Sequence, residues 1–205
     1  MTTPNIAIVF DFGNVLVDWN PRYLYRKLFA GDEAGMERFL ADVDFHSFAR
    51  QYDVERPPAE IIGEYSARFP QYAPLFQAYE ERFLESIGGP IQPSVDLLYG
   101  LKRAGYPLYG LSNWSGVKFR LYRNGNAFFD LFDDMVISGD VRVIKPDPRI
   151  FEILLQRAGR RAQECIFIDD HLPNVEAARQ LGFRAIQFRS AEQLRAELGE
   201  MGVFV

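Results

Sequence analysis

The chain has 205 residues, 48% of them hydrophobic and 15% aromatic, enough for one sizeable α/β core with or without a smaller inserted domain. Twenty-eight acidic against 23 basic side chains leave a formal charge of −5, which excludes the electrostatic footprint of a nucleic-acid or anionic-membrane binder. The single cysteine, Cys165, excludes an internal disulfide, and no apolar stretch approaches the roughly 20 residues of a membrane helix.

Residues 6–10 (IAIVF) form a continuous apolar, β-prone run that leads straight into Asp11, with Gly13 two positions on. Such a run suits a strand buried on both faces of a parallel sheet. Asp11 then falls at the strand's carboxyl end, where open α/β sheets gather their ligands. A buried carboxylate there calls for a cation nearby. The strand character continues briefly over 15–18, and Asn20-Pro21 breaks it.

Residues 21–88 differ in character. Apolar and aromatic side chains recur at helical spacing, as in Met36, Phe39, Leu40 and Val43, then Ile61, Ile62, Tyr65 and Phe69, then Phe76, Tyr79, Phe83 and Leu84. Pro57-Pro58, Phe69-Pro70 and Ala73-Pro74 divide the segment into three or four helices, with no strand signal among them. The pattern predicts an α-helical insertion over 20–88, bounded by Gly88-Gly89-Pro90, with residues 1–19 and 89–205 forming the α/β core.

Beyond residue 91 helix and strand alternate. An amphipathic helix over 94–104 stops at Gly105, and a strand over 107–111 runs into Ser112-Asn113. A second strand is expected over 135–138. Asp147-Pro148 pairs an N-cap with a proline at the first helical position of a helix reaching 158. The apolar run 164–168 ends at Asp169-Asp170 and makes Cys165 an inert core thiol. A helix over 173–181, a strand over 184–188 and a Ser190/Gln193 capping box complete the chain. Strands separated by helices imply right-handed crossovers and a Rossmann-like, doubly wound parallel sheet.

In such a sheet Asp11, Ser112-Asn113 and Asp169-Asp170 end strands on one edge, and Lys145 lies in a connector beside them. This set suits phosphoryl transfer through an aspartyl phosphate. Asp11 would be the nucleophile, carboxylates from two strands would hold Mg²⁺, and Lys145 with the Ser112 hydroxyl would bind and neutralise the phosphate oxygens.

The segments FDFGNVL (10–16), LSNWS (111–115), IKPDPRIF (144–151) and FIDDHLPNVEAA (167–178), in this order and spacing, resemble the four motifs of the haloacid dehalogenase-like hydrolases. The resemblance covers essentially the whole chain, with 20–88 in the place of the family's helical cap. It implies a nucleophile at Asp11, a phosphate-binding serine at Ser112 beside Asn113, and the family lysine at Lys145. It also implies a Mg²⁺ site on Asp11, the backbone carbonyl of Gly13 and Asp170, with Asp169 behind Asp170. Gly13 is a departure, since the family's phosphatases usually carry a second aspartate there as general acid/base. The DxGN pattern nevertheless resembles a bacterial branch that includes α-D-glucose-1-phosphate phosphatases, whose leaving group needs little protonation.

The expected protein is a cytoplasmic, Mg²⁺-dependent phosphatase of a small phosphorylated metabolite, sugar phosphates among the candidates, with neither nucleic acid nor membrane as partner. The start of the chain shows no basic, signal-length leader. A metal-free 2-haloacid dehalogenase is the first alternative, opposed by the acidic pair and by Gly13 where that branch has a tyrosine. An inactive binding module is the second, opposed by the intact nucleophile and lysine. His46, in the insertion, is a candidate for the missing acid, though a partly buried structural histidine is the plainer expectation. His171 is expected to shape its loop, and Trp19 and Trp114 to pack or line the crevice.

Overall fold

In the computed structural model, which describes residues 6–204, five parallel strands form the central sheet. They are β1 (Ala7–Phe10), β4 (Leu108–Ser112), β5 (Asp134–Ile137), β6 (Cys165–Asp169) and β7 (Arg184–Gln187), in the order β5-β4-β1-β6-β7. The order reverses at β1, which pairs with β4 on one side and β6 on the other. This is the doubly wound sheet the sequence predicts, with its topological switch at the central strand.

All four residues of β1 are fully buried because both faces of the sheet are covered. Ala7 and Val9 pack with Ile150, Phe151 and Leu154 of α9 (Pro148–Ala158) and Val175 of α10 (Leu172–Gln180). Ile8 and Phe10 face the opposite way, toward Leu97, Leu98 and Leu101 of α6 (Gln92–Arg103) and Leu194 and Leu198 of α11 (Ala191–Glu200). The period-2 alternation thus serves two hydrophobic layers, which is why the run reads as uniformly apolar. The Asp147 carboxylate accepts from Arg149 N at 3.0 Å, and the Ser190/Gln193 capping box is formed.

The insertion, which precedes α6, holds five α-helices: α1 (Arg22–Leu28), α2 (Glu33–Asp42), α3 (Phe45–Arg50), α4 (Pro58–Arg68) and α5 (Ala73–Glu81). The break between α2 and α3, at Val43-Asp44, carries no proline or glycine, and the sequence pattern runs across it. Asp44 makes the turn with a φ of 46°, and its carboxylate takes the Ser47 hydroxyl at 2.6 Å. Phe48 is the hub of an aromatic core, with ring centroids of Tyr65, Phe76 and Tyr79 at 4.9, 5.1 and 5.6 Å.

The insertion leaves and rejoins the core through a two-stranded antiparallel ribbon, β2 (Val17–Trp19) against β3 (Ile87–Pro90). β3 begins at Ile87, at the far end of the segment 21–88 in which the sequence shows no strand signal. Its IGGP sequence has low strand propensity, and partners some 70 residues away supply the pairing. Gly88 is required there, because a β-carbon would run into the Asp18 carboxylate and the Tyr23 ring. Those two groups are hydrogen-bonded to each other at 2.6 Å. Two short helices, α7 (Gly116–Arg123) and α8 (Ser138–Val141), follow β4 and β5 and face the insertion.

Candidate active site

The chain leaves β1 at Asp11, whose backbone N–H still bonds the Ile168 carbonyl of β6 at 2.8 Å. Asp11 therefore stands beside Asp169, at the end of β6, and close to Ser112, at the end of β4. Lys145, on the loop before α9, projects between the two aspartates. Its Nζ lies 2.9 Å from Asp11 Oδ1 and 2.7 Å from Asp169 Oδ2, with its own side chain wholly buried. Burial opposes the charged ammonium, but the two carboxylates outweigh it and hold the lysine pKa above the ordinary range.

Lys145 is held from behind by Asn113. The Asn113 amide donates to the Lys145 carbonyl at 3.0 Å and accepts from the Lys145 N–H at 2.7 Å. Asn113 was expected to contact substrate, yet this paired bond takes up one donor and one acceptor to fix the lysine loop against the end of β4. Asp169 is equally committed. Besides Lys145, it accepts from His171 N at 2.8 Å and from Asn174 Nδ2 at 3.1 Å on each oxygen.

Asp11 is left in a different condition. Its Oδ1 takes both Lys145 and the Phe12 N–H (2.7 Å), while no described residue donates a hydrogen bond to Oδ2. Burial pushes the Asp11 carboxyl well above the usual carboxylate range. Lys145 opposes that shift, and Asp169 and Asp170 add to it. Asp170 is half-buried and also raised, by burial first and then by Asp169. One oxygen from each of Asp11, Asp169 and Asp170 falls within 4.8 Å of the others.

These groups open onto a crevice of about 460 Å³ under the helical insertion. Asp11, Gly13, Asn113, Lys145 and Asp170 line it from the core, while Ser112 and Asp169 lie behind that wall, almost wholly buried. Trp19 and Trp114 both line the crevice. His46 also reaches it, but as an exposed residue of α3 set against the Trp19 ring at 6.1 Å, not as the partly buried histidine expected. Cys165 is buried away from the crevice, and burial pushes its thiol up to about 11.

Three crevice groups escape the sequence reading. Asn174 is detectable only as a polar residue in the first turn after Asp169-Asp170. Lys118 of α7 is buried against Glu80 of α5 at 2.7 Å, and its Nζ lies 4.8 Å from the Tyr52 ring centroid. Asp53, in the 3₁₀ turn Tyr52–Val54 of the insertion, also lines the wall. Nothing in the local pattern distinguishes the last two from surface charges.

The site thus sets an unhindered carboxylate oxygen at the switch point of a doubly wound sheet, with a buried lysine on its other oxygen. The chain belongs to the haloacid dehalogenase-like hydrolases, whose family model matches residues 7–182. It is 27% identical over 211 residues to the sesquiterpene phosphatase astK of Aspergillus oryzae, covering 98% of both chains. It is 23% identical over 207 residues to the drimenol cyclase drtB of Aspergillus calidoustus, where it spans 94% of this chain but 35% of that protein. Among solved structures, a HAD family enzyme from Bacteroides thetaiotaomicron in complex with magnesium and inorganic phosphate superposes with a TM-score of 0.66 at 23% identity, over 90% of this chain and 94% of that one. The family makes the chain a hydrolase. No helix among the described residues is long and apolar enough to cross a membrane.

Proposed function

We propose that this chain is a Mg²⁺-dependent phosphatase acting on a small phosphorylated metabolite through an aspartyl phosphate on Asp11. The carrying observation is the charge balance of the crevice. Three clustered carboxylates against one ammonium leave two negative charges, and an all-oxygen donor set of that charge suits a hard divalent cation. Asp11, Asp170 and the Gly13 carbonyl would hold Mg²⁺, with Asp169 behind them. When bound, the ion would neutralise phosphate charge and lower the repulsion between an anionic nucleophile and an anionic ester.

The chain's own groups divide the remaining work. Phe12 N–H and Lys145 pin Asp11 Oδ1, which leaves Oδ2 to approach phosphorus. Lys145 draws charge from the phosphoryl oxygens, and Ser112 with Asn113 would complete their binding. Residues 20–88 act as the cap over the core of 1–19 and 89–205, excluding water and meeting the alcohol portion of the ester. The crevice has room for a sugar-sized alcohol, and its aromatic walls equally suit an apolar one, as the name of the Aspergillus oryzae relative suggests. The net negative charge and single buried cysteine fit a cytoplasmic enzyme.

The test is phosphate release from a panel of sugar, polyol, nucleotide and prenyl phosphates, with Mg²⁺ or EDTA, in wild type and Asp11→Asn. Release that needs both the metal and Asp11 is expected. Halide release from a 2-haloacid in EDTA would replace the proposal with a dehalogenase, and binding without turnover would leave an inactive module.

A further inference from the structure

Phosphoryl transfer from an alkyl ester leaves an alkoxide that needs a proton, yet the core offers no donor where one would be expected. Gly13 has no side chain, and a β-carbon there would meet nothing within 4 Å. The space beside Gly13 is open, and the insertion places an acid, Asp53, on the wall of the same crevice. Resting on the phosphatase reading, we propose that Asp53 is the proton donor to the leaving oxygen and the base for the water that follows.

Asp53 is held on the crevice wall by contacts that cross between insertion and core. The Ser138 hydroxyl of α8 donates to the Asp53 carbonyl at 2.6 Å and accepts from Trp114 N at 2.9 Å. Two residues on, Glu55 Oε2 accepts from Gly116 N at 2.9 Å, capping the first turn of α7. Gly139 makes room for this contact, since a β-carbon there would strike the Glu55 carboxylate. The turn bearing Asp53 is therefore fixed to the loops that follow β4 and β5, beside the phosphoryl site. The Asp53 carboxyl itself accepts no hydrogen bond from any described residue, so it is available to a substrate atom. Glu55 and Gly116 act as positioning residues.

The surroundings suit the role. Burial lifts the Asp53 carboxyl to about 7; Arg50 and Lys145 lower it and Glu55 raises it. The same crevice presents His46 of α3, Tyr79 of α5, Lys118 of α7 and Asp170 of the core. A carboxyl poised near neutrality can both give and take a proton at working pH. In the first step the bond from Asp11 Oδ2 to phosphorus forms. The bond from phosphorus to the ester oxygen breaks with its electron pair on oxygen, which takes the Asp53 proton and departs as an alcohol. In the second step the Asp53 carboxylate takes a proton from water as that water's oxygen bonds phosphorus. The bond to Asp11 breaks, and inorganic phosphate, the Asp11 carboxylate and protonated Asp53 are restored.

The experiment compares kcat/KM of wild type and Asp53→Asn on an alkyl phosphate turned over by the wild type and on p-nitrophenyl phosphate, whose leaving group departs unprotonated. With Mg²⁺ present, Asp53→Asn should lose on the order of 10²- to 10⁴-fold on the alkyl ester and less than about tenfold on p-nitrophenyl phosphate. Inhibition by orthophosphate should be unchanged, which reports an intact site. The wild-type alkyl-ester profile should fall as pH rises through about 7, and Asp53→Asn should lose that limb. Equal losses on both esters overturn the assignment, as does a limb that persists in Asp53→Asn and vanishes in His46→Gln. A wild type that hydrolyses neither ester overturns the phosphatase reading instead, and this inference with it.

Discussion

Lys145→Met removes the ammonium between Asp11 and Asp169 while keeping most of the side-chain volume. The lysine side chain is wholly buried, as is that of Asp169, and Asp11 is 11% exposed. Breaking a buried ion pair by deleting one partner costs about 3–5 kcal/mol, because the other charge is left without compensation. Two carboxylates lose their partner here, but Phe12 N–H still holds Asp11, and His171 N and Asn174 still hold Asp169. The expected loss in EDTA at pH 8 is therefore within that range, roughly 6–20 °C in Tm for a chain of this size. Asp11 titrates above the usual carboxylate range in the folded protein, and losing Lys145 raises it further. The folded state then takes up a proton before the unfolded chain does. The penalty is fully present above the folded pKa and is relieved as pH falls through it, so the gap to wild type should narrow at pH 5.5. Mg²⁺ at about 100 times its dissociation constant should return up to about 2.7 kcal/mol. Urea denaturation of both proteins at the two pH values, with EDTA or Mg²⁺, reads all three effects. A loss below about 1 kcal/mol in EDTA at pH 8, or one independent of pH, would refute the claim that the lysine balances buried charge.

Asp53→Asn should stabilise the fold at pH 8 while slowing turnover. With the folded carboxyl at about 7 against an ordinary 3.8, wild-type stability falls as pH rises between those values, by at most about 4 kcal/mol and by less because the group is half-buried. Equal effects of the substitution on the urea midpoint at pH 4 and pH 8 would contradict this. Phe48→Ala opens a cavity at the hub of the insertion and should cost about 3–5 kcal/mol, measured by the same denaturation. A cost under about 1 kcal/mol would mean that the aromatic cluster packs loosely. Gly110→Ala, on β4, drives a β-carbon into the Phe12 ring and against Met135, and should cost about 1–3 kcal/mol by overpacking. A neutral Tm there would show that the ring beneath the nucleophile loop moves freely.

The sequence by itself determined the core: the run 6–10, the alternation of strand and helix after residue 91, and four motifs that the topology carries to one edge. Those are local signals, set by periodicity, by caps such as Asp147 and Ser190, and by strand direction. It also located Asp11 and the acidic pair, since residues at strand ends need no tertiary knowledge to be aligned once the sheet is parallel, while Lys145 was marked by its IKPDPRIF segment. The tertiary structure alone decided what each group does there. Only the pairing of Asn113 with the Lys145 backbone, 32 residues away, shows that this amide braces the lysine. The saturation of Asp169 by Lys145, His171 N and Asn174 likewise depends on how α10 meets the sheet. Asp53 was invisible because its surroundings come from contacts such as that with Ser138, 85 positions along the chain. The pairing of β3 with β2 was invisible for the same reason, since the strand character of IGGP comes entirely from its partner. Burial and charge pairing across such distances are properties of the folded chain, and no window of neighbouring residues contains them.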